Sequence, residues 1–223
     1  MDSRQMQLSF EMKIGQFAEY NYPMPFQSHE VQNYLNESQD QVTTKLYQDF
    51  EKTEQMRTEL SPLVRNIVFS SFLTGADYSH PNGHIVNIPN GVLYPVEERC
   101  TIGYTDCNND AQTKQIKVLP LTHDEYNMNI NNPYLKPDVD LIWRMEMGAT
   151  GSYYKRHELI SDGIITINSY NLRYLKRPIL INLITTNTCE LDETVHEDIV
   201  DGAVQIAIRT RPQPQKVEQN QES

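Results

Sequence analysis

The most restrictive feature of this sequence is a seam of apolar or small residues, three or four apart, that runs from Val31 to Val64. Polar and charged residues fill the positions between them, a pattern typical of an amphipathic helix with a narrow buried face. Ser28 is a suitable N-cap, and Glu30 lies in the first turn, where a carboxylate favours the helix dipole. The spacing predicts one long helix, roughly 50 Å in length, that Pro62 kinks or ends.

Two further helices are predicted near the ends of the chain. Residues 5–20 alternate like a strand, but their apolar residues also fit one helical face, and the intervening Gln, Glu, Met and Lys favour a helix. A last helix begins near Leu191, with Asp192 or Thr188 as its cap, and keeps helical spacing to Arg209. Residues 210–223 are polar and contain two prolines, so they cannot fold alone.

Between His84 and Thr186 the sequence changes to short runs of β-branched and aromatic residues, separated by Gly, Pro and Asn. The runs are HIVNI, GVLYPV, ERCTIGYT, KQIKVLPL, VDLIWRMEM, GIITINSY and PILINLIT. They predict an antiparallel sheet or small barrel. The predicted fold class is α+β, with N-terminal helices in 1–66, an inserted antiparallel β domain in 84–186, a C-terminal helix in 190–209 that packs on the N-terminal helices, and an extended tail in 210–223.

Composition restricts the functions that this chain can have. The formal net charge is −11, which argues against binding to DNA through phosphate neutralisation but is compatible with a surface that lets DNA slide past. The chain has three cysteines, an odd number that cannot all pair in disulfides, so a reducing compartment is favoured. We find neither a secretory signal pattern nor an apolar run of about 18 residues that would span a membrane. A soluble protein made in a cytosol is expected.

Two pairs of residues consist of cysteine or histidine, the side chains that commonly bind metals. Cys189 and His196 bracket the segment CELDETVHED, but no second pair at zinc spacing accompanies them, so helix-capping acids beside a surface histidine are the favoured interpretation. Cys100 and Cys107 bracket a turn, and either a disulfide, a metal pair or two unrelated thiols fits the spacing. Unrelated thiols are favoured.

Two histidine segments are weak candidates for catalysis. His80 and His84 lie in a turn after Asp77, which suggests either a general base or metal cluster or the tip of a loop. His123 begins the acidic segment HDEY, which also fits a turn capped by Thr122 at the start of a short helix. Neither segment is accompanied by the further residues that a catalytic or metal site would need. A hydrolase that uses these histidines is therefore an alternative and not the main hypothesis.

The densest basic region is Arg156 to Arg177, in which arginines, a lysine and a histidine alternate with tyrosines. Aromatic and cationic side chains together suit a single-stranded nucleic acid. In so acidic a chain, an electrostatic docking face is the favoured interpretation. A nucleic-acid-binding module stays open as a further alternative.

A segment from Asn127 to Met145 combines two Xaa-Pro turns, at Pro133 and Pro137, with a strand-like run that carries Trp143, the only tryptophan. No catalytic constellation surrounds it, but taken alone the segment would fit an enzyme loop as well as a structural turn.

Three segments in order carry a resemblance to a known family. They are the helix SHEVQNYLNESQDQVTTKLYQDFEKTEQMRTELSPLV, the run PLTHDEYNMNINNPYLKP with LIWRM, and INSYNLRYLKRPILINL with CELDETVHEDIVDGAVQIA. Together they resemble ring-forming virion proteins of crAss-like and related Bacteroides-infecting tailed phages. Asp192 departs from the family, which often has a proline at that helix start.

The resemblance implies a structural, non-enzymatic protein with no cofactor or metal. It implies a homo-oligomeric ring, a dodecamer, in the head–tail connector or tail of the virion, made in the host cytoplasm. Portal protein and adjacent ring or tail proteins would be its partners, with DNA passing through the channel without specific binding and no membrane involved. The intersubunit contacts expected on this basis are Pro133, Tyr134, Pro137, Arg211, Pro212 and Pro214. On the same basis the segment from Asn127 to Met145 is expected to be a structural or intersubunit loop, with Pro133, Tyr134 and Pro137 packed and not holding a ligand.

Overall fold

The predicted α+β class is confirmed by a computed structural model of the chain. The structure describes residues 1–16, 26–49, 53–73, 80–148, 153–185 and 187–210. The chain divides into two compact units: a helical unit, 1–63 with 178–223, and a β unit, 64–177.

The helical unit is built around the C-terminal helix. Its described helices are α1 Ser3–Gln16, α2 Ser28–Gln48, α3 Glu54–Leu60 and α5 His196–Thr210, with short 3-10 turns at Ser61–Leu63 and Glu193–Val195. Helix α5 packs against α1 and α2. Ser38 Oγ donates to Ile199 O at 2.7 Å, and a Cβ on Gly202 would overlap that hydroxyl, so glycine allows the close approach. Lys13 of α1 pairs with Glu197 at 2.5 Å.

The prediction of one uninterrupted helix from Ser28 is wrong. Helix α2 starts there but ends at Gln48, and the next helix begins only at Glu54. Asp49 leaves the helical region, because an aspartate opposes the dipole at that end of a helix and competes for backbone hydrogen bonds. A spacing of three or four residues is satisfied equally well by two helices with a break between them. Val64, placed in the helix by the seam, begins a strand instead.

The predicted strand PILINLIT is also wrong, because residues 178–185 contain no strand in the structure. Amide side chains of α2 take the place of a neighbouring strand. Asn36 accepts from Ile181 N at 2.7 Å and donates to Ile181 O at 3.1 Å. Gln39 donates to Ile179 O at 3.2 Å. These bonds satisfy the backbone of an apolar segment without a sheet.

The β unit is a seven-stranded sheet in the order β1-β7-β3-β4-β5-β6-β2. Its strands are β1 Val64–Phe69, β2 Gly83–Pro89, β3 Val92–Thr105, β4 Ala111–Leu121, β5 Leu141–Gly148, β6 Tyr153–Ile160 and β7 Thr166–Lys176. Five pairings are antiparallel as predicted, whereas β4 and β5 are parallel, joined through helix α4 His123–Asn129. A bridge between Leu73 and Ile85 links the segment after β1 to β2, so the curled sheet brings the chain beyond one edge strand to the other edge.

The two faces of the curled sheet have different cores. The inner face holds the main apolar cluster, which includes Ile102, Ile142 and Leu172. On the outer face, Trp143 and Met145 of β5 form a smaller cluster with Ile160 and Tyr126. The outer cluster lies beneath α4, so α4 and the segment that follows it are mounted on strands β5 and β6.

Candidate functional site

Helix α4 starts at a capping box, as the sequence predicted. Thr122 Oγ1 accepts from Glu125 N at 3.3 Å, and the Glu125 carboxylate accepts from Thr122 N at 2.8 Å. These bonds to Thr122 lower the pKa of Glu125. The box fixes the direction in which α4 enters, and it places the buried ring of Tyr126 5.7 Å from the ring of Trp143.

The segment after α4 is held by a series of short-range hydrogen bonds. Asn132 N donates to Asn129 O at 2.9 Å, and Asn132 Oδ1 accepts from Tyr134 N at 3.0 Å. Trp143 Nε1 donates to Leu135 O at 2.9 Å, which ties the segment to β5. The segment is therefore an ordered platform with its own internal bonds.

Helix α4 and this ordered segment together present large apolar side chains to solvent. The exposed fraction is 91% for Tyr134 and 71% for Met128. We call the set the apolar loop surface; its members are Met128, Ile130, Tyr134, Leu135 and Val139. Apolar side chains clustered on a rigid support are typical of an interaction surface.

The predicted contact residues fall into two groups. Pro133 and Tyr134 are exposed and Pro137 is half-buried, so within a single chain the expected packing is absent at Pro133 and Tyr134. Arg211, Pro212 and Pro214 lie outside the described residues.

His80, in the turn before β2, and His84, in β2, do not act together. His80 Nδ1 lies 2.8 Å from the fully buried Glu158, and its ring lies 4.1 Å from that of Tyr126. His84 instead packs edge-on against Phe72. Asp77 lies outside the described residues. Sequence reasoning missed Glu158, whose position opposite His80 depends on the fold of β6. The result is a buried contact that supports α4.

Cys100 and Cys107, the candidate pair, differ in burial. Cys100 is buried in the inner core and Cys107 is exposed at the β3–β4 turn, and neither thiol is in a disulfide. Burial raises the pKa of the Cys100 thiol. Within the described residues no group of three or more His, Cys, Asp and Glu side chains is placed to hold a metal ion.

The expected surface position of His196 is wrong, because its ring is buried. His196 Nε2 lies 2.9 Å from Leu191 O, and Nδ1 lies 2.6 Å from the Met1 nitrogen. Burial lowers the pKa of His196, and the positive charge at Met1 adds to this effect. Asp192 caps the 3-10 turn before α5 by accepting from Thr194 N at 3.1 Å. This histidine anchors chain segments and shows no metal-site geometry.

A buried polar chain crosses the inside of the curled sheet and was not predicted. Tyr170 Oη lies 2.9 Å from His157 Nδ1 and donates to Glu98 at 2.8 Å. Arg144 Nε lies 3.0 Å from the same Glu98 carboxylate. Burial lowers the pKa of His157 to about 3, with the charges of Arg144 and Lys155 adding to the shift. Burial also raises the pKa of Glu98, although the positive charge of Arg144 acts to lower it.

The basic region from Arg156 to Arg177 does not form one surface. His157 and Tyr170 point into the interior of the curled sheet, whereas Arg173 is exposed on its outer face. The side chains of Tyr153 and Tyr154 lie outside the described part of the structure. The interleaved aromatic and basic platform needed for a nucleic acid is therefore not assembled by the residues described.

The model of the phage tail ring protein 3/4 family matches residues 1–219 of the sequence. Ring protein 3 of Bacteroides phage crAss001 is 26% identical over 207 residues, which cover 83% of this chain and 86% of the relative. Ring protein 4/5 of the same phage is 29% identical over 115 residues, 45% of this chain and 47% of the relative. Among the described helices, none is long and apolar enough to cross a membrane.

Proposed function

This chain belongs to the phage tail ring protein 3/4 family, and on that basis we propose that it forms an oligomeric ring in the head–tail connector or tail of a tailed phage. The match over residues 1–219 carries the proposal, because it spans both the helical and the β unit. The resemblance to ring-type virion proteins of crAss-like phages is thereby confirmed. Each ring would bridge its neighbours in the stack, with portal protein and adjacent ring or tail proteins as partners.

The ring would be a homo-oligomer, a dodecamer if it shares the symmetry that portal-associated rings imply. The apolar loop surface supports assembly, since Met and Tyr side chains are enriched at interfaces between proteins. Pro133, Tyr134 and Pro137 would lie in or beside such contacts. Arg211, Pro212 and Pro214 would reach a neighbouring subunit from the C-terminal segment.

The channel of this ring would let DNA pass without binding it. A net charge of −11 supports that role, because a surface with excess carboxylates repels phosphates and releases few counterions. The protein would be made in the host cytoplasm and assembled into the neck or tail of the particle.

A structural role is favoured over catalysis. The relatives carry the name of ring proteins, and two of the three candidate histidines, His80 and His84, make separate packing contacts, whereas His123 is exposed. An activity assay with divalent metals on wild type and a His80→Ala/His123→Ala double variant tests this directly. We expect no turnover from either protein, and metal-dependent hydrolysis lost in the variant would favour the enzyme.

The proposal is tested on purified virions of the phage that encodes this chain. Quantitative mass spectrometry is expected to find the protein in the particle, in the same copy number as the other ring proteins. Immunogold labelling is expected at the neck or tail. Absence from particles that contain the other structural proteins would overturn the proposal.

A further inference from the structure

We propose that the apolar loop surface of one copy docks on the outer face of strands β1, β7 and β3 of the next copy. This inference rests on the proposed ring and adds to it the pair of surfaces that meet. In a cyclic ring each copy contributes two different surfaces, because the contact is head-to-tail. A candidate pair must therefore lie on different sides of the protomer and be complementary in chemistry.

The first surface is rigid before any partner arrives. Bonds at Asn132, Leu135 and Trp143 hold the loop, and Tyr126 supports it from below. Ordering of a flexible segment on binding would weaken association, so a loop that is already ordered binds more tightly. Tyr134, exposed at 91%, is the most prominent side chain of the surface and its natural anchor.

The loop surface is acidic around its apolar centre. The segment from His123 to Asp140 contains four carboxylates and one lysine. Glu125 belongs to the capping box, and Asp140 pairs with Lys114 of β4. Asp124 and Asp138 are exposed at the two ends of the segment. A complementary surface should therefore offer fixed positive charge around an apolar contact.

The second surface, which we call the arginine face, has these properties. Val68 of β1 is 57% exposed and points outward, because its neighbours Ile67 and Phe69 pack on the inner core. Arg99 and Arg173 lie on the adjacent strands β3 and β7 of the same outer face. Their side chains are 52% and 55% exposed.

Glu97 fixes both arginines without neutralising the pair. Its carboxylate lies 2.5 Å from Arg99 Nη2 and 3.2 Å from Arg173 Nη1. One carboxylate shared by two guanidinium groups leaves a net positive charge. Arginine held in this way suits an interface, since its planar group can bind carboxylates and stack on tyrosine rings.

The two surfaces point in different directions. The loop is mounted on β5 and β6, which are separated from β3 by β4 on one side and from β1 by β2 on the other. Because the loop and the arginine face lie on separate groups of strands in a curled sheet, one protomer can present the loop to one neighbour and the arginine face to the other. That arrangement propagates around a ring.

Cysteine cross-linking tests the pairing in the full-length protein. Cys107→Ser removes the exposed native thiol, and Cys100 and Cys189 are buried. Tyr134→Cys and Val68→Cys are introduced together, and a short bis-maleimide is added. We expect a ladder of covalent oligomers, whereas a mixture of the two single variants should give dimers only.

Ile164→Cys is the matched control for Val68→Cys, since Ile164 is 85% exposed on the β6–β7 connection and belongs to neither surface. Combined with Tyr134→Cys, it is expected to give no ladder. Equal cross-linking from the Val68 and Ile164 variants, or none from either, would overturn the pairing.

Disruption of the surface gives a second readout. Tyr134→Ser with Met128→Ser should raise the protein concentration needed for assembly by about tenfold or more, the size expected for a central contact. Ile164→Ser should leave assembly unchanged. Wild type that stays monomeric, or a double variant that assembles normally, contradicts the inference. Virion mass spectrometry tests the proposed function separately, so the two can fail independently.

Discussion

Acidification should weaken the β unit through one buried histidine. His157 is 3% exposed and faces Tyr170, with Arg144 and Lys155 as the charges that oppose its protonation. Its pKa is lowered from 6.5 to about 3. Between these values the unfolded chain binds a proton that the folded chain excludes, so stability falls as the pH falls through this window.

The size of the effect follows from the linkage relation. One pKa unit corresponds to about 1.4 kcal/mol, so acidification to two units below the ordinary histidine pKa should remove roughly 2–3 kcal/mol of unfolding free energy. Trp143, the only tryptophan, lies on the neighbouring strand and reports unfolding of this unit by fluorescence. Urea titrations at pH 7 and near pH 4.5 measure the loss.

The variant His157→Gln isolates this contribution, because glutamine offers Tyr170 a hydrogen-bond partner but does not titrate. We expect the variant to lose roughly 2–3 kcal/mol less than wild type over the same pH change. His123→Gln, at an exposed position of α4, controls for the loss of a histidine as such. Identical pH dependence in wild type and His157→Gln would refute the reasoning.

Two further predictions concern packing. Tyr126→Ala should remove the ring that covers Trp143, destabilise the β unit by roughly 2–4 kcal/mol, and shift tryptophan emission of the folded protein to longer wavelength; an unchanged spectrum would contradict the contact. Gly202→Ala should lower the melting temperature, because its Cβ would overlap Ser38, whereas Gly15→Ala, which has open space in α1, should leave it unchanged or raise it.

Local signals predicted the elements whose ends are set by neighbouring residues. The Thr122–Glu125 capping box was visible in the sequence, and so was the acidic start of the last helix at Asp192. The mixed pattern near the N-terminus was also interpreted correctly as a helix. In each case the residues that decide the structure lie within one or two turns of each other.

Features that depend on distant residues were not predictable in this way. The segment around Ile181 resembles a strand, but it is bound by Asn36 of a helix far away in sequence. The ion pair between Glu98 and Arg144 requires the curl of the sheet, since β4 separates their strands. The exposed state of Tyr134 likewise depends on how α4 is mounted, which no local pattern specifies.

Reconstruction of the virion by electron cryo-microscopy tests the central claim most directly. The account predicts a closed ring of this chain around the DNA channel at the neck or tail, with the Tyr134 loop of each copy against Val68 and the arginine face of the next. A particle without this chain, or a ring whose copies meet through other surfaces with both of these facing solvent, would contradict it.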